Sequence, residues 1–337
     1  MSEMRPWSRL RPSGPMVGLL AVLLLFIGVI AAQGQLRPFL SSYNVQQVLH
    51  QATIPGVVAL GMLLVILSGG IDLSVGSVVA LVTVVTVRVY IWALATTNSP
   101  ALASLTASAA GVGVGGLCGL INGLTITLLR LAPFVATLGM MSLARGVAHW
   151  LTRLSGASKM TLDPNVATAW VDALQQSDHP YLFFDPGVWS AVLLAAAVAL
   201  LLRFTVFGRH CYAVGSNEAT ARLCGIPVER TKVAVYILAG LLTGWAGVLR
   251  FAESNIGNPG AGVGLELEVI AAVVIGGASL SGGQGTVTGT LLGVLILAVL
   301  DNGVSISGVT IEVKYILIGA IIVANTALSQ WQRRKSE

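Results

Sequence analysis

In a chain of 337 residues with only 10% charged side chains, the ionisable groups that fall inside apolar stretches are the first candidates for chemistry. They are Asp72 with Ser74, Arg145, and Glu266 with Glu268, and the amide of Asn122 joins them. These groups are isolated along the chain rather than convergent, so they suit hydrogen bonding, charge pairing or contact with a polar solute better than catalysis. Asp72 follows Gly69-Gly70 and can cap the next helix together with Ser74, or take part in gating. Asn122 can bond a neighbouring helix or touch a permeating solute. Glu266 and Glu268 precede a short apolar segment, where they satisfy a helix dipole or face a solute or gate. Arg145 lies one turn from Met141 inside an apolar run, where a free charge is expensive, so it needs a carboxylate partner or must snorkel. No apolar run carries the carboxylates or histidines of a proton relay, and His50, His149 and His179 lack metal-ligand spacing.

The elements that hold these residues are membrane spans. A hydrophobic share of 55% and a mean hydropathy of +0.84 exceed what a soluble core can hide, so the chain reads as an all-α, polytopic integral membrane protein. The formal charge of +5 is no nucleic-acid signal, since the basic residues flank apolar spans and the lipid bilayer is their neighbour. Cys118, Cys211 and Cys224 form no disulfide framework. The pattern predicts about ten crossings, some broken or half-spanning, with both termini inside. Expected spans are Pro15 to Ala32, Val45 to Leu67, Asp72 to Trp92, Ala101 to Leu129, Pro133 to Leu151, Gly187 to Leu202, Val233 to Phe251, a half-span from Glu266 to Gly276, Thr286 to Val299, and Tyr315 to Leu328. Asp301-Asn302-Gly303 is expected at the outer end of the ninth, which is read as closing near Val299. Residues 1–14 and 330–337 are then cytoplasmic tails around one transmembrane domain, 15–329. Residues 152–186 are an external segment, partly structured near Trp170.

Small-residue stripes predict close packing. Gly111, Gly115, Gly119 and Gly123 recur every four residues, and Gly240 with Gly244, and Gly285, Gly289 and Gly293, repeat the spacing. The half-span before the glycine-rich turn from Gly276 to Gly285 needs its open ends buried or facing a cavity, the situation in which transporters build pathways.

The longest polar stretch with helix signals runs from Gly208 to Lys232. Ser216 or Asn217 can cap a short helix, Glu218 sits in its first turn, and Gly225 before Pro227 ends it. Ala219 and Leu223 are expected to rest on the membrane domain while Glu218 and Arg222 face outward. Arg203, Arg209, Arg222, Arg230 and Lys232 place the loop in the cytoplasm. It reads as a docking surface for a cytoplasmic partner or as an ordinary loop whose charges only set topology. Leu280-Ser281-Gly282-Gly283-Gln284 spells the signature of ATP-binding-cassette nucleotidases. No Gly-x-x-x-x-Gly-Lys-Ser or Gly-Lys-Thr accompanies it, so the match reads as coincidence and the chain is not expected to be an enzyme by itself.

The chain resembles the membrane permease subunits of bacterial ATP-binding-cassette importers for ribose, xylose, arabinose and galactose. The matching marks are Leu67-Ser68-Gly69-Gly70-Ile71-Asp72-Leu73-Ser74-Val75-Gly76-Ser77, Asn122-Gly123, Pro133 to Gly139 with Arg145-Gly146, Gly208-Arg209 through Gly225-Ile226, and Glu266-Leu267 through Gly285. Autoinducer-2 and branched-chain amino-acid permeases are near relatives, and the run from Gly69 to Ser74 favours the sugar group. A stand-alone carrier or a membrane enzyme is the competing class. The resemblance implies an inner-membrane, multi-pass permease paired with a second copy or a related permease. It further implies two cytoplasmic ATPase copies, which bind the ATP and magnesium, and a periplasmic sugar-binding protein, with no cofactor on this chain. Gly208, Arg209, Gly215, Asn217, Glu218, Ala221, Arg222, Gly225 and Ile226 then belong to a coupling loop that enters the ATPase.

Overall fold

The computed structural model describes residues 14–156, 158–162, 168–175 and 184–308, together with 316 and 319. Helix α1 (Gly14–Ala32) is followed by the single turn α2 (Leu36–Phe39), α3 (Ser42–Leu67), α4 (Val75–Thr97), α5 (Pro100–Leu128) and α6 (Pro133–Arg153). Strand β1 (Met160–Thr161) and the turn α7 (Trp170–Ala173) precede α8 (Pro186–Phe204). Then come α9 (Val206–Ser216), α10 (Glu218–Leu223), α11 (Val228–Ser254), strand β2 (Ile256–Gly257), α12 (Leu265–Ile275) and α13 (Val287–Ile306). The two strands pair antiparallel, with Met160 opposite Gly257.

Seven described helices, α1, α3, α4, α5, α8, α11 and α13, are long and apolar enough to cross a membrane, which makes the chain a polytopic helical membrane protein. The 21 residues of α6 are of spanning length but include Arg145 and Arg153, and α6 is not among the seven. The eleven residues of α12 rise about 16 Å, roughly half of a 30 Å hydrocarbon core. The last expected span and both tails lie outside the described residues.

Three expectations are corrected. Asp72 does not open α4, because residues 70–74 lie outside any helix or strand and the helix begins at Val75, with Ser74 before it. Asp301, Asn302 and Gly303 lie within α13, where Asn302 exchanges side-chain hydrogen bonds of 2.8 and 3.0 Å with Asn44 of α3 and so carries the helix onward. The polar loop holds two helices rather than one, since Thr205 caps α9 by accepting from the Gly208 amide at 3.2 Å.

The core is built around α3. Every residue from Gly56 to Leu67 is buried, and a helix apolar all round can only sit inside a bundle. Against it lie α11, α13, α12, α8 and part of α9, while α1 and α8 keep most of their apolar surface outward. The helices α5 and α11 approach closely along their length, where the stripe from Gly111 to Gly123 meets Gly240 and Gly244. A methyl group on Gly115 would stand 2.3 Å from the Gly240 carbonyl oxygen, and one on Gly119 would stand 2.1 Å from that of Tyr236. Gly289 and Gly293 meet the carbonyls of Gly276 and Ala272 in the same manner, so α13 grips α12. Gly285 packs between Leu63, Leu67 and Ala278.

These distances predict position-specific costs. Gly119→Ala should destabilise the protein by about 1–3 kcal/mol through overpacking. Gly113→Ala on the same helix meets nothing within 4 Å and should be neutral or stabilising by about 0.5–1 kcal/mol. Thermal unfolding in detergent measures both, and equal shifts for the two variants would contradict the packing.

Candidate functional site

A helix that ends within an apolar bundle leaves backbone groups to satisfy, and the break between α3 and α4 gathers three of the predicted residues for that task. The α3 helix closes at Ser68, whose hydroxyl donates to the Val65 carbonyl at 2.9 Å, and Gly69 turns with φ +81°. Asp72 is buried, and its Oδ1 accepts from the Ser74 amide at 2.8 Å and from the Ser74 hydroxyl at 2.6 Å. Asn122 of α5 donates from Nδ2 to the Ser74 hydroxyl at 3.1 Å. Thr137 of α6 donates to the Ile71 carbonyl at 3.2 Å. Asp72 caps its own short turn rather than the helix, and no ion pair reaches it among the described residues. The buried hydroxyl of Tyr236, on α11, faces this knot, since a methyl group on Gly70 would meet it at 2.5 Å.

Arg145 lies elsewhere. Its Nη1 donates to the carbonyls of Pro259 and Ala261 at 2.7 Å each, so its partner is the backbone of the turn before α12. Glu266 packs over Gly76, where an added methyl would come within 2.6 Å of its Oε2. Glu268, two residues on, faces a cavity of about 480 Å3 between α3, α11, α12 and α13. His50, Gln51, Arg250, Glu253 and Asp301 line the same space, and none of these was read from sequence as a solute or gate residue. Such a cavity, lined by groups of both charges and by amides, can hydrate or hold a polar, uncharged solute. Beside it His50 Nδ1 lies 2.6 Å from Asp185 Oδ2, which ties α3 to the start of α8.

At the opposite end of the bundle lies the predicted loop. Asn217 both closes α9 and caps α10, its Oδ1 accepting from the Thr220 amide at 2.9 Å. Gly225, with φ +80°, ends α10 in the left-handed conformation, and the Ile226 amide reaches back to the Ala221 carbonyl at 3.0 Å. Ala221 is buried with Val214 and Val228, and Ile226 packs against them. The expected apolar face is therefore wrong: Ala219 is exposed and Leu223 is 89% exposed, because α9 and the start of α11 cover the other side. Arg222 bonds Glu218 at 2.9 Å and also pairs with Glu229, while Lys232 reaches Glu218 at 2.6 Å. The hydrogen bond from Lys232, then that from Arg222, outweighs partial burial and holds the Glu218 carboxyl below its ordinary range. Glu229 and Glu218 push the exposed Arg222 guanidinium further up. Arg209 and Gly208 sit on α9, and Gly208 lies so close to α8 that a methyl there would meet the Leu202 carbonyl at 2.2 Å. With Arg130, the charged residues of α10 and α11 border a second cavity of about 460 Å3.

Among the described residues no group of three or more His, Cys, Asp or Glu is arranged to hold a metal.

Residues 44–326 match the family described as branched-chain amino acid transport system / permease component. The chain is 36% identical over 302 residues to the ribose import permease protein RbsC of Escherichia coli K12, covering 89% of this chain and 90% of that one. It is 34% identical over 325 residues to the L-arabinose ABC transporter permease protein AraH of Azospirillum brasilense, covering 93% and 88%. It is 33% identical over 322 residues to the fructose import permease protein FrcC of Rhizobium meliloti, covering 95% and 85%. No solved structure matches the chain.

Two measurements test this geometry. Asp72→Asn keeps an oxygen for both Ser74 donors and should retain stability, whereas Asp72→Ala leaves them unbonded and should cost about 1–3 kcal/mol in detergent unfolding. A carboxylate depressed by its partners stabilises the fold above its unfolded value, and that contribution is lost as the pH falls through the folded value. A nitroxide on Cys224, the one exposed cysteine, should therefore be immobile near neutral pH and loosen only once the pH falls below the ordinary carboxylate range. Glu218→Gln should give the loosened spectrum at every pH.

Proposed function

This chain belongs to the family of permease components of the branched-chain amino acid transport system, and from that membership we propose that it is the permease subunit of an ATP-binding-cassette importer for a monosaccharide. The observation that carries the reading is identity of a third or more along nearly the whole length to permeases named for ribose, arabinose and fructose. Ribose or a related pentose or hexose is the solute class. The run from Gly69 to Ser74 supports the sugar branch over autoinducer-2 or amino-acid relatives. The chain supplies the path through the membrane, and a separate cytoplasmic ATPase supplies the energy.

Ten crossings with both termini in the cytoplasm fit this role. They comprise the seven apolar helices, α6, the half-span α12 and a last span within 315–328. The loop from Gly208 to Lys232 then faces the cytoplasm, where α10 is a rigid, capped element whose exposed Leu223 and bordering charges suit insertion into an ATPase cleft. Residues 152–186 and the cavity containing Glu268 face the periplasm, toward a sugar-binding protein. A second permease, identical or related, completes the pathway in the bacterial inner membrane. Within this reading Glu268 and Asp301 touch the solute, whereas Asp72, Ser74 and Asn122 hold the break at which the path can open.

The test is reconstitution with the ATPase and the binding protein in liposomes. Uptake of radiolabelled ribose, arabinose or fructose should require all partners and ATP; sugar movement by the permease alone would overturn the reading. Ala221→Pro, which costs about 3 kcal/mol in a helix interior, should abolish co-purification of the ATPase. Glu268→Gln should leave co-purification intact and lower uptake several-fold.

A further inference from the structure

The run Leu280-Ser281-Gly282-Gly283-Gln284, whose match to the nucleotidase signature reads as coincidence, occupies a crowded backbone junction. There three turns meet with almost no side chain between them. The first is the end of α3, from Leu67 to Gly70. The second is the end of α9, at Gly215 and Ser216. The third is the turn between α12 and α13. The Gly283 amide donates to the Leu67 carbonyl at 3.0 Å, satisfying an acceptor that the end of α3 leaves open. A methyl group on Gly215 would stand 1.7 Å from that same carbonyl oxygen and 2.6 Å from the Gly283 nitrogen. One on Gly282 would stand 2.6 Å from the Gly215 carbonyl and 3.0 Å from the Gly69 Cα. Gly283 has φ +70°, which only glycine adopts without strain. One turn back along α9, the Tyr212 hydroxyl donates to the Gly285 carbonyl at 2.9 Å. The third turn is closed on itself, with the Ser279 amide bonded to the Gln284 carbonyl at 3.0 Å.

We propose that Tyr212, Gly215 and Gly283 are coupling residues: they lock the docking helices α9 and α10 to both broken membrane segments, so that displacement of α10 moves the α3–α4 break and the α12–α13 turn together. Side chains in contact can absorb a displacement by changing rotamer, whereas backbone in contact with backbone cannot. Asn217 ends α9 and caps α10, so the two helices turn as a unit, and Gly215 lies two residues before it. On the other side of the junction, Leu67 is five residues from Asp72. The lever therefore reaches the polar knot through one carbonyl oxygen and the short turn from Ser68 to Ile71. The proposal rests on the transport reading for its readout and on the junction's geometry for its content.

The experiment uses the full-length chain with its ATPase and binding protein in liposomes, scored as sugar imported per ATP hydrolysed. Tyr212→Phe keeps volume and removes one hydrogen bond, and should lower that ratio about two- to tenfold, the range of one net bond, with ATPase co-purification unchanged. Gly215→Ala should lower it further. An unchanged ratio in Tyr212→Phe overturns the proposal even if Gly215→Ala fails to fold. Hydrogen exchange separates this outcome from failure of the transport reading. Binding of the ATPase to the wild-type permease should alter protection of residues 66–72 and 279–285 together, whichever solute is carried. A change confined to residues 208–232 would overturn the link even if sugar is transported.

Discussion

Where a helix stops inside an apolar bundle, little water is there to take its open carbonyls and amides, and the rest of this structure depends on how those groups are met. The end of α3 is met by Gly283, the non-helical residues after it by Thr137, and the turn before α12 by the guanidinium of Arg145. Each donor comes from a segment far along the chain. The breaks thus hold the fold together at the same places where they interrupt it, because each one recruits a partner helix that a continuous span would not need.

Glycine makes this possible at two scales. Along α5 and α11 it lets whole helices approach until carbonyl oxygens line the contact, which fixes the position of Asn122 and Tyr236 beside the break. At the junction of α3, α9 and the α12–α13 turn it removes side chains altogether. Association within a membrane lacks the hydrophobic drive available in water, so close packing and internal hydrogen bonds must supply it. Both are present here, and both are intolerant of a single added methyl group at the positions described.

What could be read from the sequence was local. The stop at Ser68 to Gly70, the short α12, the capped α10 and the glycine stripe each carry their signal within a dozen residues, and the structure has each at or near its expected place. What could not be read depends on contacts between distant segments. The buried face of α10 is set by α9 and α11, so Ala221 rather than Leu223 is covered. Arg145 was expected to find a carboxylate or to snorkel, and its guanidinium binds carbonyls more than a hundred residues away, which periodicity cannot reveal. The helix α9 was hidden because its polar residues obscure an apolar line through Cys211 and Val214. The cavity beside Glu268 draws on four helices, and its polar lining reads in sequence as unrelated residues near helix ends.

The distribution of charge then bears on mechanism. Formal ion pairs among the described residues lie at the two ends of the bundle: the Glu218, Arg222, Glu229 and Lys232 group at one, and the Arg250–Glu253 and His50–Asp185 pairs at the other. Between them lie buried hydroxyls, the amide of Asn122 and the carboxyl of Asp72, and Asp72, Ser74 and Asn122 are joined by short local bonds. A bundle arranged this way can shift its broken segments without separating opposite charges in a low-dielectric interior, where such separation is most expensive. The cost of moving is confined to a few neutral hydrogen bonds and to glycine contacts that slide or hold as units. Energy delivered at one end can therefore be spent on rearrangement at the break rather than on pulling ion pairs apart, which suits a protein that receives its energy from a partner.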